Sequence, residues 1–197
     1  MKKYTIIFLC LALLITFTVS ASAREQTHRL GFKAGLYSPT GEEENITGLE
    51  AEVQFDAIIH DNVDAGPHFG VFLKNVKGNI SSTEDSKFIV VPVTFQFRFY
   101  PFYSEEKGAT HGIIAPYLAV SAGYYFALLF ESNSLDAHKV PDGVGGFGGT
   151  AALGIDFGFG PSTAYFVELS YRRTGLRSMR EYELDLDGYT FSIGGRF

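Results

Sequence analysis

Ten charged residues of this chain sit at alternating positions of extended-looking segments: the acids Glu50, Glu52, Asp56, Asp156 and Glu168, and the bases Lys33, Lys74, Arg98, Arg172 and Arg196. Small or polar residues share their parity, while large apolar residues hold the other. Side chains two apart on a strand point to the same face, so each segment carries its charges on one side. Five acids against five bases can neutralise one another. In an interior too narrow for water they must, because a buried charge left unpaired costs several kcal/mol. The chemistry these residues suggest is an ion-pair network filling an enclosed space. A wet pore lined by solvated charges is the other use of the same residues.

Nucleophilic catalysis would need a serine, a histidine base and an orienting acid. His138 has Ser132, Ser134 and Asp136 near it in sequence, an arrangement that a solvated polar loop also explains. His28, His60 and His111 stand at strand starts or turns, and His68 shares the polar parity of its strand, where a hydrogen bond to a neighbour is expected. Gly143-Val144-Gly145-Gly146-Phe147-Gly148 has the spacing of a dinucleotide fingerprint, but it follows a polar loop and opens a strand where a helix is needed. Asn45-Ile46-Thr47 and Asn79-Ile80-Ser81 fit a glycosylation sequon, a three-residue pattern that carries no function by itself. No catalytic residue, metal site or cofactor is expected.

Strands must position the charges. His28 to Tyr37 sets Leu30, Phe32, Ala34 and Leu36 against Arg29, Gly31, Lys33 and Gly35, and Gly48 to Ile59 sets Leu49, Ala51, Val53, Phe55 and Ala57 against Glu50, Glu52, Gln54 and Asp56. Alternation this regular reads as strand. After the turn His60 to Asp64, Ala65 to Asn75 opposes Pro67, Phe69, Val71 and Leu73 to Gly66, His68, Gly70 and Lys74. Phe88 to Tyr100 carries Ile89, Val91, Val93, Phe95, Phe97 and Phe99 on one side and Thr94, Gln96 and Arg98 on the other. Pro92 interrupts it, and since proline removes a ladder hydrogen bond a bulge is expected there. Ile114 to Phe126 is a fifth strand of open register, followed by Gly145 to Phe159 and Thr163 to Arg172. In the last strand, Gly188 to Phe197, the residues Tyr189, Phe191, Ile193 and Phe197 share one parity and Thr190, Ser192 and Arg196 the other.

Bulk properties narrow the class. Met1-Lys2-Lys3, an apolar run from Ile6 to Val19 and Ala21-Ser22-Ala23 form the pattern of a secretory signal peptide, expected to be cleaved after residue 23, leaving 24–197 as one domain. Cys10 would leave with it, so the mature part has no disulfide or thiolate site. Losing Lys2 and Lys3 takes the formal charge from -6 to -8, which argues against nucleic acid as a partner. The run Ile113 to Phe130 is broken by Pro116, Ser121 and Gly123, so no mature segment supplies the ~20 apolar residues of a spanning helix.

Eight such strands of about ten residues, with mostly longer connections on one side than on the other, match an all-β, eight-stranded antiparallel up-and-down transmembrane β-barrel. A soluble periplasmic barrel holding a small ligand is the competing architecture, with its faces inverted. Large residues at nearly every apolar position, glycine-rich polar faces (Gly66, Gly70, Gly146, Gly148, Gly154), and aromatic residues near strand ends (Tyr37, Phe99, Tyr100, Phe102, Tyr103, Tyr125, Tyr165, Tyr171 and Tyr189) favour the membrane form.

The closing stretch Gly188 to Phe197 resembles the last strand of bacterial outer-membrane barrels. Gly31-Phe32-Lys33-Ala34-Gly35-Leu36-Tyr37-Ser38-Pro39, Val91-Pro92-Val93-Thr94, and Pro116-Tyr117 with Gly123-Tyr124-Tyr125 are similar to motifs of the small outer-membrane β-barrel family, which includes the OmpA transmembrane domain and opacity-type surface proteins. The resemblance implies a place in the bacterial cell outer membrane, with both termini periplasmic. It implies surrounding lipid and lipopolysaccharide, and a closing strand (Tyr189, Phe191, Ile193, Phe197) read by the barrel-assembly machinery. It implies no single activity. A structural or surface-interaction role of a monomer, through loops 38–47, 76–87, 131–143 and 173–187, is expected. A small-solute channel and a lipid A-modifying enzyme are the alternatives.

Overall fold

The computed structural model describes residues 28–40, 48–60, 62–77, 85–102, 114–130, 143–158, 163–176 and 186–197. The expected leader, His111, His138 and most of the longer connections lie outside them. Eight strands are formed: β1 (His28–Pro39), β2 (Gly48–His60), β3 (Val63–Lys77), β4 (Asp85–Phe99), β5 (Ile114–Phe130), β6 (Gly143–Gly158), β7 (Ala164–Thr174) and β8 (Gly188–Arg196). Each pairs antiparallel with the next, and β8 returns to β1, so the sheet is a closed barrel.

The seam runs from Gly31 opposite Arg196 to Pro39 opposite Gly188. Two further bonds extend it, from Leu30 N to the Phe197 carbonyl at 3.0 Å and from Phe197 N to the Leu30 carbonyl at 2.9 Å. Closure leaves no sheet edge with unpaired N–H and C=O groups, which hydrocarbon would not tolerate.

The two faces are disposed as polar inside and apolar outside. On β4, Phe95, Phe97 and Phe99 are exposed while Thr94, Gln96 and Arg98 are buried. The same holds around the barrel, with Leu49, Phe55, Phe69, Leu118, Leu153, Leu169 and Phe191 outside. A barrel with an oily interior is therefore excluded. The fifth strand takes its place in this pattern, with Tyr117, Ala119, Tyr125 and Ala127 inside and Leu118, Val120 and Phe126 outside.

Pro92 does not create the bulge its chemistry suggests. The β3–β4 register is the same on both sides of it, and pairing is skipped only opposite Gly70 and Val71. The ring is accommodated because Gly70 has no side chain: a Cβ there would lie 2.9 Å from Pro92 Cγ. The register shifts instead between Ile58 and His60, where β2 bends into its two-residue connection to β3.

Candidate functional site

The lumen is the candidate site, and the inward parity of each strand builds it. Nine of the ten expected residues meet there: Lys33, Glu50, Glu52, Asp56, Arg98, Asp156, Glu168, Arg172 and Arg196 all lie inside and largely out of solvent. The side chain of Lys74 lies outside the described residues. His68 is fully buried and hydrogen-bonded, as its parity implied.

At the end nearest the longer connections, Arg172 Nη2 donates to Glu50 Oε2 at 2.5 Å, and Thr190 Oγ1 donates to the same oxygen at 3.4 Å. The Arg172 guanidinium is boxed by the rings of Tyr37, Phe72 and Tyr125, at 5.8, 5.6 and 5.7 Å from their centroids. Leu186 closes over this box, fully buried against Tyr37, Phe72, Val90, Tyr125 and Ala127. Asp187 pins it in place. Its carbonyl accepts from Tyr37 Oη at 3.0 Å, Thr40 Oγ1 at 3.1 Å and Thr40 N at 2.9 Å, and its Oδ1 accepts from Thr174 N at 2.6 Å.

In the middle, Lys33 Nζ bridges Glu52 and Glu168 at 3.2 and 3.1 Å. Tyr117 Oη donates to the other oxygen of Glu168 at 2.9 Å. Arg98 Nη1 donates to Asp56 at 2.8 Å. The Tyr117 ring fits only because Gly154 opposite it has no Cβ, which would collide with the ring.

At the other end Arg196 Nη1 reaches both Asp156 oxygens at 2.5 Å, and Tyr100 Oη donates to Asp156 at 2.8 Å. The Tyr100 hydroxyl serves as a neutral donor. The Arg196 guanidinium stacks 4.0 Å from the Phe166 centroid and 4.9 Å from that of Tyr117. Arg29 pairs with Asp64 at 3.1 Å nearby.

The arrangement is an interior filled at both ends by aromatic rings, with ion pairs between them. Cation–π contacts of this kind contribute about 2 kcal/mol when desolvated. They cover guanidinium faces that would otherwise demand water.

Three tyrosines are corrected by the structure. Tyr37, Tyr100 and Tyr125 are not interface residues of the outer wall but buried lumen groups. Tyr165, Tyr171 and Tyr189 do face outward. Asp64, Phe72, Phe166 and Tyr117 are lumen residues that sequence reasoning did not assign; parity with His68, Gly70 and Glu168 marks the first three, while Tyr117 lies on the strand of open register. Within connection 173–187, Leu176 and Leu186 pack on the lumen cluster. Tyr189, Phe191 and Ile193 are exposed on β8, and Phe197 meets Tyr165 edge-on at 6.5 Å. Among the described residues no group of His, Cys, Asp and Glu could hold a metal ion.

No family model matches the chain, and no curated protein matches it in sequence. Solved structures do. Neisserial surface protein A overlays 87% of this chain and 96% of its own at a TM-score of 0.55 and 14% identity. The outer membrane protein OprG from Pseudomonas aeruginosa overlays 86% of this chain and 93% of its own at 0.52 and 14%. The outer membrane enzyme PagL overlays 85% and 98% at 0.41 and 11%, too loosely to argue from. Identities this low speak to architecture alone. With its polar interior, apolar exterior and closed antiparallel ladder, the chain has the fold of the small eight-stranded outer-membrane β-barrels.

Proposed function

We propose that this protein is an integral barrel of the bacterial outer membrane whose sealed lumen makes it a rigid support for its longer connections, with a structural or surface-interaction role and no catalysis. One observation carries the reading: the charges are paired inside while the outer wall is apolar. Water would reward the opposite disposition. Lipid rewards this one, since outward apolar residues meet acyl chains and inward acids and bases pair with one another.

Tyr165, Tyr171 and Tyr189 then lie near the membrane interfaces, where amphipathic rings are favoured. Lipopolysaccharide and lipid surround the wall, and loops 38–47, 76–87, 131–143 and the part of 173–187 outside Leu176, Leu186 and Asp187 are offered to any external partner. Tyr189, Phe191, Ile193 and Phe197 on the closing strand are the features offered to the assembly machinery. The barrel acts as a monomer.

The lumen supports a plugged barrel over a channel. Among the described residues, His68 has both ring nitrogens engaged by carboxylates, so it is no base for a serine. Planar bilayer recordings of the purified protein are expected to show no large, steady single-channel currents, and such currents would overturn the sealed-lumen reading. Outer-membrane fractionation with a heat-dependent gel shift is expected. Recovery in the soluble periplasm without a shift would overturn the location. Overexpression is expected to leave the mass spectrum of lipid A unchanged.

A further inference from the structure

His68 stands at the centre of an unbroken alternation. Arg29 pairs with Asp64 at 3.1 Å, Asp64 with Arg98 at 3.8 Å, Arg98 with Asp56 at 2.8 Å, and Asp56 with His68 at 2.9 Å. His68 then pairs with Glu52 at 2.9 Å, Glu52 with Lys33 at 3.2 Å, and Lys33 with Glu168 at 3.1 Å. Four carboxylates thus alternate with three permanently cationic side chains and one imidazole.

Both ring nitrogens of His68 face carboxylate oxygens, Nδ1 toward Glu52 Oε1 and Nε2 toward Asp56 Oδ1. A neutral imidazole has one N–H and one lone pair. Its lone pair would then point at an anionic oxygen. Moving the proton to a carboxyl is no remedy, because Glu52 Oε1 already receives Lys33 Nζ and Gln54 Nε2, and Asp56 Oδ2 receives Arg98 Nη1. Those groups can only donate, and they favour ionised carboxylates.

We infer that His68 is a proton-binding site: it is held as the imidazolium, and this fourth cation balances the four carboxylates of the chain Arg29–Asp64–Arg98–Asp56–His68–Glu52–Lys33–Glu168. The groups that act on it are Lys33 on β1, Glu52 and Asp56 on β2, Asp64 on its own strand, Arg98 on β4, Tyr117 on β5 and Glu168 on β7, with Arg196 of β8 beyond Arg98. The inference concerns the lumen alone and stands whether or not the barrel sits in the outer membrane. Loss of the proton leaves four negative charges against three positive ones among side chains that, Arg29 apart, are buried. The stability it contributes is present while the ring is protonated and is lost on the alkaline side.

The test is nitrogen NMR of the folded protein, labelled at histidine, at pH 7.5. The His68 signals are those missing from His68→Gln. Two protonated ring nitrogens are expected, and one protonated nitrogen beside one lone-pair nitrogen would overturn the inference. A second measurement separates charge from packing. His68→Gln is expected to lower the folded-to-unfolded ratio in urea by roughly a few hundredfold to a few thousandfold, as removing one partner of a buried ion pair does. Adding Glu52→Gln removes the surplus negative charge and is expected to recover most of that loss. Losses that simply add would overturn the charge-balance role. Should His68→Gln not fold, the spectrum of the unaltered protein, with its histidine signals assigned through bonds, still decides.

Discussion

Asp156→Asn is the sharpest probe of a sealed lumen. The substitution keeps the shape of the side chain and one acceptor oxygen for Tyr100, and removes only the charge that faces Arg196. Both partners are buried, at 1% and 6% side-chain exposure for Arg196 and Asp156, so solvent screening is slight. Two charge centres about 4 Å apart attract by about 4 kcal/mol at an effective dielectric of about 20. Breaking such a pair by removing one partner costs about 3–5 kcal/mol, because the survivor is a buried charge without compensation. The retained bond from Tyr100 places the expected loss near the lower end, about 3 kcal/mol. Urea unfolding of the protein in lipid vesicles, followed by gel mobility, reads this directly. The double variant Asp156→Asn with Arg196→Met places an apolar chain against Phe166 and Tyr117 and is expected to return within about 1 kcal/mol of the parent. A loss below about 1 kcal/mol for Asp156→Asn alone is what a solvated surface pair would give. That result would refute the sealed interior.

Two further outcomes are expected. Phe95→Arg, on the outward face of β4, should cost about 2–4 kcal/mol in vesicles if that face meets the bilayer midplane, and a neutral effect in the same urea assay would contradict a lipid contact. Gly154→Ala should lower folding yield and cost about 1–3 kcal/mol by overpacking against Tyr117, whereas Gly143→Ala, whose Cβ would meet the flexible Leu128 Cδ2 at 3.3 Å and the Ala127 carbonyl at an ordinary 3.7 Å, should be nearly silent.

The eight strands and nine of the ten charged lumen candidates were legible from alternation, because a period of two is imposed by the strand itself, whereas β5, with small or aromatic residues on both faces, gave no parity to read. Partners were not. Lys33 and Glu168 meet across 135 positions of sequence, from strands that are not neighbours in the sheet, and only the closure and stagger of the barrel bring them together. Tyr37 and Tyr100 were misplaced because nearness to strand ends was given more weight than parity: Tyr37 shares the face of Lys33 and Tyr100 that of Arg98. Tyr125 was misplaced because its strand has small or aromatic residues on both faces and offers no parity to read. Pro92 was misjudged for a different reason. Its cost falls on the facing residue, and the absence of a side chain at Gly70 absorbs it without a register shift. The cap formed by Leu186 carries no local signal, since the three leucines of this otherwise mostly polar connection, Leu176, Leu184 and Leu186, reveal nothing of the aromatic box.

Which face of the wall meets lipid can be read position by position along β4. The described residues contain no cysteine, so single cysteines at Val93, Thr94, Phe95, Gln96 and Phe97 can each carry a fluorophore in turn. With the protein in vesicles containing lipid-borne quenchers, strong quenching is expected at 93, 95 and 97 and little at 94 and 96. Quenching that does not alternate, or that alternates the other way, would contradict a barrel with its apolar face in the membrane.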